Sequence, residues 1–167
     1  MNVNELPKYA SAQSESDCCP KFDPTGWDDQ EFVFDNKAFV SVNTLSFLYM
    51  PLNMGSVMQR TMKAIKSSDA MPEGWAMLSH DNSAWCCTHY IAVSKDVPGL
   101  KMEKLSGTFV TKVFEGAYRD APVWVKQMKK FVNDKGKSIK KLYFFYTTCP
   151  KCAKRYGKNY VVGFAQV

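Results

Sequence analysis

Thr147-Thr148-Cys149-Pro150-Lys151-Cys152-Ala153-Lys154-Arg155-Tyr156-Gly157-Lys158-Asn159-Tyr160 places two thiols and four cations between two apolar runs. These are Leu142-Tyr143-Phe144-Phe145-Tyr146 before it and Tyr160-Val161-Val162-Gly163-Phe164-Ala165 after it. Aromatic and β-branched residues flanking a polar segment with proline and glycine predict two strands, Ile139 to Thr148 and Tyr160 to Val167, joined by a long surface loop. Upstream, Ala121 to Lys135 has helical period, with Trp124, Met128 and Phe131 at i, i+4 and i+7. Asp120 is its expected N-cap, Pro122 falls in its first turn and Gly136 stops it. Leu105 to Phe114 reads as the strand that enters this helix.

The first half has the same order. Phe39 to Met50 reads as a strand stopped by Pro51, and Glu31 to Asp35 as a short edge strand before it. Gly55 to Lys66 is an amphipathic helix with Met58, Met62 and Ile65 on one face and Asn53 or Ser56 as its cap. Trp75 to His80 and Thr88 to Ser94 form a hairpin through Asp81-Asn82-Ser83. A displacement of about 66 residues lays Met58, Met62 and Ile65 over Trp124, Met128 and Phe131. The expected fold is α+β: two pseudo-symmetric strand-helix-strand-strand repeats forming a curved antiparallel sheet, with two helices on one face and a central cleft.

Residues 1–30 carry Pro7, Pro20, Pro24 and Gly26 with no sustained period, and read as an extended arm anchored by Phe22 and Trp27. Residues 31–167 are expected to form one domain, which 46% hydrophobic content is sufficient to give a core. The net charge of +6 is uneven: Lys126 to Lys158 holds 11 Lys plus Arg against Asp134, whereas Met1 to Asn36 holds eight acids against Lys8 and Lys21. The two regions should attract one another. The start lacks the charged and apolar regions of a signal peptide, and no apolar run approaches a membrane span. A cytoplasmic monomer without a membrane or nucleic-acid partner is expected, with the lysines around Lys137, Lys140 and Lys141 forming a solvated face.

Val113-Phe114-Glu115-Gly116-Ala117-Tyr118, then Ala121 and Trp124, resembles the gyrase-inhibitor-like, or bacterial effector-binding, domain: a strand ending in an aromatic and a polar residue, then Gly, one residue, Tyr, and a helix with an inward Trp. Cys18-Cys19-Pro20, Pro51-Leu52-Asn53-Met54-Gly55 and Cys149-Pro150-Lys151-Cys152-Ala153-Lys154 resemble a bacterial subgroup labelled hydrolase. The resemblance implies a small-molecule cleft between two repeats, in proteins that bind drugs or effectors or hydrolyse reactive small molecules. Relatives place a Glu two residues before a Tyr on the penultimate strand to meet a cation. Tyr146 matches that Tyr, but Phe144 stands at the Glu position, which argues against cation binding by that route. No helix-turn-helix pattern accompanies the domain, so a transcription factor is not expected.

The six cysteines fall in three close pairs: Cys18-Cys19, Cys86-Cys87 and Cys149/Cys152. Two residues between Cys149 and Cys152 suit one Zn²⁺, and Cys18 and Cys19 can supply further ligands if the arm folds back. Thiol redox chemistry and simple packing of a loop are the competing readings. No cofactor is required, and zinc is the metal this spacing fits. Glu115 is the candidate general base or cation partner, against an ordinary solvated carboxylate. His80 and His89, in or beside strands, read as packed and hydrogen-bonded rather than catalytic. Trp75, Trp85, Tyr118, Tyr143, Tyr146 and Met54 are the candidate ligand contacts, against ordinary core packing. The expectation is a protein that binds, and in the fuller reading hydrolyses, a small aromatic or hydrophobic molecule. The alternative is a zinc or thiol protein centred on Cys149 and Cys152.

Overall fold

The computed structural model describes residues 3–8 and 19–167. Along the chain come β1 (Glu31–Phe47), β2 (Met50–Pro51), α1 (Met54–Ser67), β3 (Met77–Ser83), β4 (Cys86–Ala92) and β5 (Met102–Glu115). A 3₁₀ turn at Tyr118–Asp120 leads into α2 (Ala121–Asp134), followed by β6 (Lys141–Tyr146), α3 (Pro150–Tyr156) and β7 (Tyr160–Gln166). The edge strand and the strand expected from Phe39 are one element: β1 runs through both and absorbs a register shift between Phe34 and Lys37. Asn36 takes the left-handed conformation that the bulge requires, and its N–H donates to Ser106 Oγ at 2.8 Å.

The sheet is antiparallel and curved, as expected, but it does not stay open. β1, β4, β3, β6, β7 and β5 pair in that order and β5 pairs back onto β1, closing a six-stranded barrel to which β2 adds a short flap. Even an eight-stranded barrel is only just wide enough to be filled by its own side chains. Here Phe34, Phe39, Phe109, Tyr143, Phe145 and Phe164, all almost fully buried, occupy the inner face. Phe34 meets Phe109 with ring centroids 4.7 Å apart, and Phe109 meets Tyr143 at 6.2 Å. The expected central cleft is therefore aromatic core.

The helices lie outside the barrel, α1 against β1 and α2 against β5 and β7. Their buried stripes are Val57, Thr61 and Ile65, and Trp124, Met128 and Val132. Met58, Met62 and Phe131 flank these stripes half-buried, one position round the wheel from where the heptad-like spacing put them. No side-chain cap bond forms from Asp120 or Asn53 to its helix. Asp120 Oδ2 accepts the Ala117 N–H at 3.1 Å, and Asn53 Oδ1 accepts the Leu45 N–H at 2.8 Å.

The arm is held by its apolar residues. Trp27, 2% exposed, sits at the barrel mouth with ring centroids 5.5 Å from Phe145 and 6.1 Å from Phe164, and Phe22 packs on Trp27, Phe145 and Tyr160. The expected charge attraction is present as well: Lys135 pairs with Asp29 and Lys137 with Glu31. Both pairs are partly solvated, so they orient the arm more than they stabilise it.

Candidate metal centre

The segment after β6 is a helix where the sequence suggested a loop. Cys149 sits just before α3 in extended conformation, Pro150 opens the helix and Gly157 ends it at φ 68°. Proline at the start and a left-handed glycine past the end are ordinary helix punctuation. One turn of helix between Cys149 and Cys152 directs both sulfurs to the same side, towards the returning arm. There Cys19 completes a group of three whose sulfurs all lie within 4.8 Å of one another. Cys152 is buried and the other two are half-buried. Cys18 lies outside the described residues.

Four contacts fix this geometry. The Cys149 N–H donates to Cys19 Sγ at 3.4 Å, and Tyr156 Oη donates to the Cys19 carbonyl at 2.6 Å. Tyr118 Oη donates to the Thr148 carbonyl, and its ring packs 5.7 Å from that of Tyr146. Burial raises the Tyr118 hydroxyl above its ordinary pKa; the Thr148 bond opposes the shift, and the three sulfurs of Cys149, Cys19 and Cys152 add to it. Burial likewise pushes the Tyr146 hydroxyl up. Both phenols are therefore neutral at physiological pH.

A hydrogen-bonded knot supports the wall behind the sulfurs. Asn159 Nδ2 donates to the Gly116 carbonyl at 2.7 Å, Thr148 Oγ1 to Asn159 Oδ1 at 3.3 Å and Thr147 Oγ1 to the Tyr160 carbonyl at 2.7 Å. Gly116 has φ 155°, and a Cβ there would stand 2.9 Å from Asp120 Oδ2, so the turn from β5 requires glycine. Beside it lies an open surface depression lined by Glu115, Gly116, Lys154, Gly157, Lys158 and Asn159. Glu115 is exposed at the end of β5, and its charge raises the Lys158 pKa after the larger contributions of Tyr160.

Of the residues singled out by sequence, Cys19, Cys149, Cys152, Tyr118 and Tyr146 come together. Trp75 packs edge-on against Phe145, 5.7 Å between centroids, and Met54 begins α1 half-buried against the main core. Tyr143 is inside the barrel, where burial raises its pKa to about 12, and Trp85 is 56% exposed on the β3–β4 hairpin. His89 is buried, with Ser79 Oγ 2.7 Å from Nδ1 and Thr44 Oγ1 2.9 Å from Nε2, as its placement in a strand suggested. His80 Nδ1 meets the Leu142 carbonyl at 2.8 Å. Sequence reasoning missed Tyr156; its place four residues after Cys152, on the same side of a helix, would have signalled it once the segment was read as helical.

The three sulfurs fit zinc. Tetrahedral thiolate coordination with Zn–S of about 2.3 Å puts sulfurs roughly 3.8 Å apart, within small rotamer adjustments of this group. Residues 9–167 match the family model described as bacterial hydrolase. The chain belongs to that family. The match agrees with the hydrolase-labelled subgroup that the Cys18-Cys19-Pro20 and Cys149 motifs resemble, and it spans the arm and the barrel, so it includes all three sulfurs of the centre. No curated protein matches the chain. Among solved structures, an uncharacterized conserved protein from Listeria innocua is similar, at 13% identity over 84% of this chain and 92% of that one, with a TM-score of 0.58. At that identity the likeness shows the fold alone.

Proposed function

We propose that this member of the bacterial hydrolase family hydrolyses a small molecule at the arm-facing end of its barrel, with Cys19, Cys149 and Cys152 holding one zinc ion. The observation that carries this reading is the convergence of three sulfurs from the arm, the α3 cap and α3 itself, supported by the Tyr156 and Cys149 hydrogen bonds that hold Cys19 in place. Zinc with three protein ligands and an open fourth position activates water and polarises an acyl or phosphoryl oxygen. Glu115 would accept a proton from the edge of the depression, Lys154 and Lys158 would attract an anionic group of the substrate, and neutral Tyr118 and Tyr146 would face its aromatic part. The strand-helix-strand-strand order of the first half, repeated in the second with α3 inserted between its last two strands, supports kinship with effector-binding domains, in which case the ligand approaches this rim rather than the filled interior.

The second reading, a closed structural clip, rests on Cys18, which directly precedes Cys19 and would be the fourth ligand. Metal analysis of tag-free protein should give about one zinc per chain, lost in Cys152→Ser. With an aryl ester as probe, Glu115→Gln should lower kcat by roughly 100-fold while metal content is unchanged. Equal zinc in Cys18→Ser supports the open site, whereas loss of zinc in that variant supports the clip. Protein that carries no metal and takes up none would refute both.

A further inference from the structure

At the far end of the barrel the sheet pattern is inverted. In the last turns of β1 the polar Thr44 and Ser46 are buried, while Leu45 and Phe47 are 62% and 52% exposed. The exposed apolar surface continues through Leu48, Tyr49, Met50 and Leu52, and Trp85 joins it from the β3–β4 hairpin with its ring 5.4 Å from that of Phe47. The antiparallel pairing of Ser79 with Phe144 directs β6 away from this hairpin, so the sulfur centre leaves the barrel at the opposite end. Single exposed apolar residues need no explanation, but a contiguous group of this size on one tip marks an interaction surface.

The tip is built and rigid. The Ser46 N–H donates to the Trp85 carbonyl at 2.8 Å, Tyr49 N–H to the Ala84 carbonyl at 3.0 Å and Leu52 N–H to the Leu45 carbonyl at 2.9 Å. Leu48 and Tyr49 hold φ of 48° and 69°, the left-handed turn conformation that Asn and Gly adopt at least cost. Two large apolar side chains thus occupy positions where the fold would be more stable with small polar ones. Strain of this kind persists where the side chains themselves are needed.

We propose that this tip docks into the interface of an anionic lipid bilayer. From Ala38 to Ser68 the sequence has no acid, and the helix that leaves the tip, α1, carries the exposed cations Arg60, Lys63 and Lys66. On the neighbouring hairpin, burial and then the adjacent Asp81 carboxylate hold the Cys87 thiol protonated, and Asp81 is the one acid of that hairpin. Aliphatic side chains with Trp and Tyr on a positively charged body are the composition of interfacial insertion. No helix of the described residues is long and apolar enough to cross a membrane. Sequence reading expects no membrane partner because no apolar run approaches a membrane span, and contact through a short tip needs no such run.

Co-flotation of the full chain with phosphatidylserine–phosphatidylcholine vesicles tests this. Wild type should float with them, less so at high salt and less with phosphatidylcholine alone. Leu48→Asn with Tyr49→Gly should cut partitioning roughly tenfold or more while leaving Tm unchanged or raised, because the turn then carries its preferred residues. Trp85→Ser, away from the strained turn, should weaken binding in the same direction. Absent binding, or binding unaffected by these changes, would overturn the proposal. So would a dimer that the turn variant dissolves in the absence of vesicles, since a second copy would then be the occupant.

Discussion

Acidification to pH 4 should destabilise the fold through His89 alone by about 3 kcal/mol. The imidazole is 3% exposed, and burial lowers its pKa from 6.5 to about 4. A group whose folded pKa lies below its unfolded value binds fewer protons when native throughout that interval, so stability rises with pH across it. The contribution is complete above about pH 6.5 and is lost as pH falls through 4, with a slope of at most about 1.4 kcal/mol per unit. Hydroxyl groups on both sides do not prevent protonation, since Ser79 and Thr44 can each accept as well as donate; the cost is that of placing a charge where water does not reach. Urea unfolding of wild type and His89→Gln between pH 7 and pH 4, taken as a difference, removes the contribution of the carboxylates. With only two histidines in the chain, NMR titration of the ring protons reads the same quantity directly. A difference that stays flat over this range, or a His89 signal with a midpoint near 6.5, would refute the reasoning.

Trp27→Ala should cost about 3–5 kcal/mol by chemical denaturation, the usual range for an aromatic removed from a packed site. If the three-sulfur centre binds zinc, this variant should also weaken metal affinity without touching a ligand, because Trp27 is the anchor that returns Cys19 to α3; unchanged affinity would mean that the sulfurs hold the arm unaided. Gly163→Ala should destabilise by about 1–3 kcal/mol through overpacking. The added Cβ would stand 2.6 Å from Met128 Sδ and 3.2 Å from Phe114, and Met128→Ala in the same chain should recover part of the loss. Additive losses in the double variant would show that the clash is not with Met128.

Strand and helix order were legible because the period switches cleanly, from the alternation around Val40 and Val42 to the four-residue spacing of Met58 and Met62 and back. Closure into a barrel was not, because it depends on β1 pairing with both β4 and β5, which needs a bend at Asn36 that a local pattern does not express. The same limitation misplaced the ligand contacts. Tyr143 and Trp85 are both aromatic strand residues by composition, yet one is sealed in the barrel and the other stands on the outer tip. The cysteine group was legible in part: Cys149 and Cys152 by spacing, Cys19 by the charge gradient that returns the arm. The helix between the first two was obscured by a lysine-rich surface that reads as loop, although Pro150 and Gly157 mark its ends.

The two ends of the barrel differ in how they hold their exposed chemistry. At the arm-facing end, polar and sulfur atoms are fixed by apolar anchoring at a distance: Phe22 and Trp27 are buried whether or not anything binds Cys19, so most of the entropic cost of bringing the arm to α3 is offset by burial. A metal arriving there meets a partly assembled site, and its binding energy goes into affinity rather than into folding the arm. At the other end, apolar side chains are held out by backbone hydrogen bonds and by a turn in a conformation that neither Leu48 nor Tyr49 favours. Removing the three sulfurs should therefore leave the tip unaltered, and relaxing the tip should leave the sulfur centre unaltered. With the filled barrel between them, the proposed metal site and the proposed membrane tip would act independently of one another.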